Sequence, residues 1–257
     1  MKKRKKVLLL GAAGRIVTGF REEYLKKYKR YYNLMLGVHS KKFKDKNFKI
    51  FRVELTDIKS LKKTMKGVDV VINLAANPSP TAKFEELLLP NIVGAYNVFE
   101  AAMQSKCSRV IFASSVHAIQ GYGHGYKVKH GDVSKPIDLY GASKVFGEAL
   151  CHVYFSRYGL SCLAIRVGAY TSNDRMRTIC FSRHDYDHVI SQRDMGQLIH
   201  RCIISPKRVK YGILSGISNN KHKDMELAFS KKLVGYVPKD HAESLCKSIK
   251  IKAPKKK

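Results

Sequence analysis

VLLLGAAGRIV, residues 7–17, sets a short apolar run directly before a glycine-rich turn. VLLL reads as a strand, and Gly11 and Gly14 let the backbone turn tightly into a helix that opens near residue 14. A turn of this kind brings backbone N–H groups at a helix N-terminus up to a pyrophosphate. A third glycine at position 17 would serve close helix–strand packing, but the chain has Val17.

The same alternation continues outward from this stretch. YNLMLGV (32–38), FKIFRV (48–53), VDVVINLAA (68–76), RVIFASS (109–115) and LSCLAIRVG (160–168) are further strands. Between them, residues 14–30, 58–67, 84–105 and 137–159 have the length and pattern of helices, with Pro90 expected to bend or break the third. The strands are continuous apolar runs, the pattern of strands covered on both faces. The fold class expected is α/β: a Rossmann-like doubly wound parallel sheet with a small C-terminal substrate-binding part. Residues 1–168 would form the dinucleotide-binding domain, 169–250 the smaller part interleaved with the sheet, and 251–257 a basic tail.

Composition bounds the function. With 257 residues and 44% hydrophobic content the chain can bury one full core. No apolar run approaches the roughly 20 residues that span a bilayer, and VLLL is too short for a signal peptide, so a cytoplasmic protein is expected. The six cysteines lack any C-x-x-C pair and read as reduced core thiols. Net charge is +29, dense only at KKRKK (2–6) and KAPKKK (252–257). Charge spread so evenly favours a generally cationic surface over a nucleic-acid site, without excluding one.

LYGASKVFGEAL (139–150) is the candidate stretch for chemistry. Tyr140 and Lys144 stand four residues apart, on one helix face, and this is the only Tyr-x-x-x-Lys pair in the chain. The spacing alone fits either a solvated helix face or a proton-transfer site.

Taken in order, the glycine loop, LAA (74–76), Asn91, FASSVH (112–117) and LYGASKVFGEAL resemble an extended short-chain dehydrogenase/reductase. The phrases GAAGRI, FEELLLPNIVGAYNVFEAA, RVIFASSVHAI, ISQRDMGQLI and YGILSGISNN bring the chain nearest to the uronate dehydrogenases and archaeal hexose-phosphate dehydrogenases of that family. The resemblance implies an NAD- or NADP-dependent oxidation of the C1 hydroxyl of a small, anionic sugar. It implies Tyr140 as general base, Lys144 as the charge that stabilises its phenolate and holds the nicotinamide ribose, and Ser115 as the hydroxyl bonding the reacting oxygen. Gly11, Ala13, Gly14, Arg15, Ile16, Glu54, Leu55, Leu74, Ala75, Ala76, Asn91 and Gly168 would line the cofactor. On the substrate side it implies His117, Ser79 and an arginine to clamp the anion, either Arg175 or Arg183 depending on where the gap falls. A homo-oligomer is expected by the same analogy, and no metal.

Departures from the family pattern narrow the reading. GVHSKK (37–42) lacks the acid that usually ends the second strand and holds a ribose hydroxyl; His39, Ser40, Lys41 and Lys42 would instead suit a 2′-phosphate. Val116 stands where the uronate enzymes have Asn, and Ala169 where they have Ser. No carboxylate follows Ser115 as it does in sugar dehydratases, and only 113 residues (257 − 144) follow Lys144, few for gripping a nucleotide-sugar. An epimerase with tightly held NAD and a non-catalytic nucleic-acid-associated relative are the competing readings.

Overall fold

A computed structural model describes residues 4–39, 42–123, 125–172 and 187–247. In chain order these form β1 (Lys5–Leu10), α1 (Arg15–Glu23), β2 (Tyr32–Val38), β3 (Lys49–Arg52), α2 (Ile58–Met65), β4 (Val70–Asn73), α3 (Phe84–Leu87), α4 (Gly94–Gln104) and β5 (Arg109–Ser115). They continue as α5 (Leu139–Tyr158), β6 (Ser161–Val167), β7 (Ala169–Thr171), β8 (Val189–Ser191), α6 (Gln192–Ile204), β9 (Tyr211–Gly216), α7 (Ala228–Val234) and α8 (Ala242–Lys247). Seven strands make one parallel sheet in the order β3-β2-β1-β4-β5-β6-β9, and β7 pairs with β8 alone. The order in which the chain lays down strands reverses between β1 and β4, and open α/β sheets hold their ligands at such a point.

Alternate residues of each strand feed opposite cores. Val7, Leu9, Ile72, Ile111 and Leu163 pack under α1 and α6 against Phe20, Leu198 and Cys202. Leu8, Leu10, Val71, Val110 and Cys162 pack under α2, α4 and α5 against Leu61, Phe99 and Tyr154. Each such side chain contributes about 1.5–3 kcal/mol of transfer free energy, which is why β5 and β6 are buried at every position.

The break expected at Pro90 is present, and two other expectations need correction. The helix expected over 84–105 is interrupted by a π-helical turn at Leu88–Val93; Pro90 lacks an N–H, and the widened turn absorbs the missing bond. Val17 does not disturb the glycine loop. It is buried in the core, and close helix packing falls instead at Gly19, where a Cβ would overlap Tyr170 and Gln192. The cysteines are not all reduced thiols. Cys107, Cys151, Cys162 and Cys202 are buried and free, but Cys246 is disulfide-bonded, and a disulfide needs spatial proximity rather than any fixed spacing in sequence. The strand β9 went unannounced because an edge strand alternates half-buried and buried residues instead of running apolar throughout. Among the described residues no helix is long and apolar enough to cross a membrane.

Candidate active site

Two cavities open beyond the C-terminal ends of the strands and meet at Ala76. The first, about 490 Å³, lies between the ends of β1, β2 and β3, with Gly11, Leu55 and Ala75 among its walls. Gly11 has φ +81°, and a Cβ there would come within 2.7 Å of the Ala75 amide nitrogen. Only glycine lets β1 turn this close to the loop after β4. Gly14 caps α1 without a side chain, leaving the helix N-terminus open to the crevice, and Arg15 and Ile16 line the second cavity. Walls of Leu10, Val38, Val53 and Leu55 form an apolar slot, so the residues present fit a dinucleotide.

A carboxylate does stand beside the end of β2, and it comes from just beyond β3. Glu54 reaches His39 at 2.8 Å, and both line the first cavity. Partial burial pushes the Glu54 carboxyl up, but hydrogen bonds from Thr56 and the neighbouring His39 outweigh it and hold the pKa below its ordinary value. His39 is thus engaged with a carboxylate at the place where a 2′-phosphate would need cations. Ser40 and Lys41 lie outside the described residues.

The second cavity, about 400 Å³, gathers Ser115, His117, Tyr140, Lys144, Leu74 and Gly168. Ser115 ends β5; Tyr140 and Lys144 come from successive turns of α5, whose N-terminus Asp138 caps by accepting from the Gly141 amide at 2.6 Å. The Lys144 nitrogen lies 5.4 Å from the centre of the Tyr140 ring and 5.2 Å from that of Phe112. Burial pushes the Lys144 ammonium down to about 8. Burial also raises the Tyr140 phenol, against a lowering hydrogen bond with Ser115, and the Asp138 charge adds to the rise. Desolvation outweighs the Ser115 hydrogen bond at Tyr140 and lowers Lys144, so further positive charge favours the phenolate.

Other sequence candidates fall elsewhere. Asn91 is buried and committed to structure: its side-chain oxygen accepts from the Asn77 amide at 2.8 Å, and its nitrogen bonds Asn77 O and Ser143 Oγ. It clamps the loop after β4 to α5 rather than lining either cavity. Ala13 is exposed beside the glycine turn. Ser79 bonds Asn77 and Thr81 and lines neither cavity. Arg175 and Arg183 lie outside the described residues. Gln120, Tyr170 and His188 line the second cavity without having been singled out, since they come from a loop and from β7 and the approach to β8, which only the tertiary fold brings there.

The sequence pattern of the NAD dependent epimerase/dehydratase family matches residues 7–203. The chain is 32% identical to a uronate dehydrogenase of Pseudomonas putida over 93% of this chain and 85% of that protein. It is 29% identical to an NAD-dependent glucose-6-phosphate dehydrogenase of Haloferax volcanii over 75% of this chain and 76% of that one. Its fold superimposes on a mutant uronate dehydrogenase from Agrobacterium tumefaciens complexed with NAD, with a TM-score of 0.83, 28% identity, and coverage of 99% of this chain and 92% of the other. A match across residues 7–203 takes in well over half of the sequence, and the chain belongs to the NAD dependent epimerase/dehydratase family.

Proposed function

We propose that this protein is an NAD-dependent sugar dehydrogenase that oxidises the C1 hydroxyl of a small anionic aldose, a uronate or a hexose phosphate, to its lactone. The observation that carries the reading is the convergence of Ser115, Tyr140 and Lys144 on one cavity that meets the glycine-turn crevice at Ala76. When bound, the oxidised nicotinamide supplies the hydride acceptor and a positive charge. Tyr140 takes the proton from the sugar hydroxyl, Ser115 holds that oxygen by a hydrogen bond, and the Lys144 ammonium stabilises the phenolate. Val116 presents a buried apolar wall to the cavity. One polar contact to the sugar is thereby missing, which favours substrates held chiefly through their anionic group. The Glu54 carboxylate suits a ribose diol and repels a 2′-phosphate, so NAD is preferred over NADP.

The test is reduced-nicotinamide absorbance with NAD⁺ and NADP⁺ against glucuronate, galacturonate, glucose 6-phosphate, other hexose phosphates and unmodified glucose. Turnover of an anionic sugar with NAD⁺ is expected. A protein that retains NAD tightly and interconverts sugars with no net reduction would be an epimerase instead.

A further inference from the structure

The turn after β5 sits directly on the first turn of α5. Ser115 Oγ accepts a bond from the His117 amide at 3.3 Å, which curls Val116–Ala118 into one 3₁₀ turn. Gly141 faces the His117 carbonyl so closely that a Cβ would overlap it. The His117 ring is thereby held edge-on to the Tyr140 ring, centroids 5.3 Å apart at 73°, and lines the reaction cavity.

Asp138 joins these pieces with both of its oxygens. Oδ1 accepts from the Gly141 amide at 2.6 Å and caps the helix that carries Tyr140. Oδ2 lies 2.7 Å from His117 Nδ1. A carboxylate only accepts, so Nδ1 must carry the proton. In the neutral ring Nε2 is then a lone-pair acceptor, and among the described residues no hydrogen bond engages it. The alternative tautomer would point two acceptors at one another across 2.7 Å.

We infer that Asp138 is a positioning residue: it fixes His117 in the Nδ1–H tautomer, so that Nε2 accepts a hydrogen bond from a sugar hydroxyl beside the carbon that reacts. The inference rests on the sugar-dehydrogenase reading for its ligand, but the tautomer is independent of it. A site built this way selects polyhydroxylated substrates and disfavours analogues lacking that hydroxyl, because Nε2 would be left unpaired.

Asp138→Asn separates the two roles. The asparagine oxygen still caps α5, while its amide can only donate toward Nδ1, which drives the proton to Nε2 and turns the acceptor into a donor. Long-range ¹H–¹⁵N NMR of histidine-labelled protein reads the tautomer without cofactor or sugar, above the usual imidazole titration range. The expected result is Nδ1–H for His117 in the wild type and Nε2–H in Asp138→Asn. The kinetic counterpart is a fall in kcat/KM of roughly tenfold or more in Asp138→Asn at unchanged NAD affinity and helix content. In a His117→Ala background the same substitution should have little further effect, since the two residues act as a unit. A wild-type Nε2–H tautomer, an imidazolium, or an unchanged tautomer in Asp138→Asn overturns the inference. So does an Asp138→Asn enzyme with undiminished kcat/KM, and that result leaves the dehydrogenase reading standing. Absence of any sugar turnover would remove that reading, while the NMR result still decides the dyad.

Discussion

Under the proposed mechanism, function and stability oppose each other at Lys144. It is buried, and burial alone holds its ammonium near 8, below its ordinary value of 10.5. The unfolded chain therefore binds more protons than the folded one between those two values, and stability rises with pH across that window. Below about pH 8 the lysine is protonated in both states and the full cost of burying the charge is felt. Lys144→Met should abolish turnover and stabilise the protein at pH 7 by up to about 3 kcal/mol, the free-energy equivalent of the shift. The gain should shrink as pH rises from 8 to 10.5. Thermal melts of both proteins at pH 7 and pH 10 check this; a less stable methionine variant would contradict it. The residue scale is also where the sequence said least about electrostatics. The spacing shows Tyr140 and Lys144, but the burial that shifts both groups depends on Phe112 and the surrounding walls. The resemblance puts Glu54 along the cofactor; that its carboxylate also stands beside His39 at the end of β2 depends on a side chain crossing between β3 and β2.

At the scale of elements, the site is braced by one carboxylate. Glu148, one turn beyond Lys144 on α5, accepts from Ser114 at 2.6 Å on β5, from Ser134 at 3.2 Å, and from Arg166 on β6 at 2.8 Å through both Nε and Nη2. Its three main partners sit beside Ser115, on the loop entering α5, and next to Val167–Gly168. The elements that carry Ser115, Tyr140 and Lys144 therefore cannot slide independently. Glu148→Ala leaves the Arg166 guanidinium buried and unpaired, which should cost about 3–5 kcal/mol. Its denaturation midpoint should fall accordingly, and a shift of less than about 1 kcal/mol would mean that the network does not hold these elements. Glu148 stood in plain view in FGEAL, but a buried ion pair between a helix and a strand leaves no local spacing by which to read it.

For the whole molecule, the doubly wound sheet was legible because fully buried parallel strands make continuous apolar runs, and VLLL followed by Gly11 and Gly14 fixes where the ligand crevice lies. What escaped was whatever depends on few neighbours or distant ones: the edge strand β9, the pair β7–β8, and His188 brought to the cavity from the approach to β8. The +29 net charge is a property of the surface as a whole and leaves the reaction cavity to a few named groups. The account depends most on Tyr140 as the proton acceptor, and Tyr140→Phe removes a single oxygen from it. The decisive measurement is kcat of this variant on the sugar that the wild type oxidises, together with its affinity for NAD⁺. A fall of at least about 100-fold in kcat at unchanged NAD⁺ affinity is predicted. A phenylalanine variant that turns over at the wild-type rate would contradict the assignment of this cleft as a proton-transfer site.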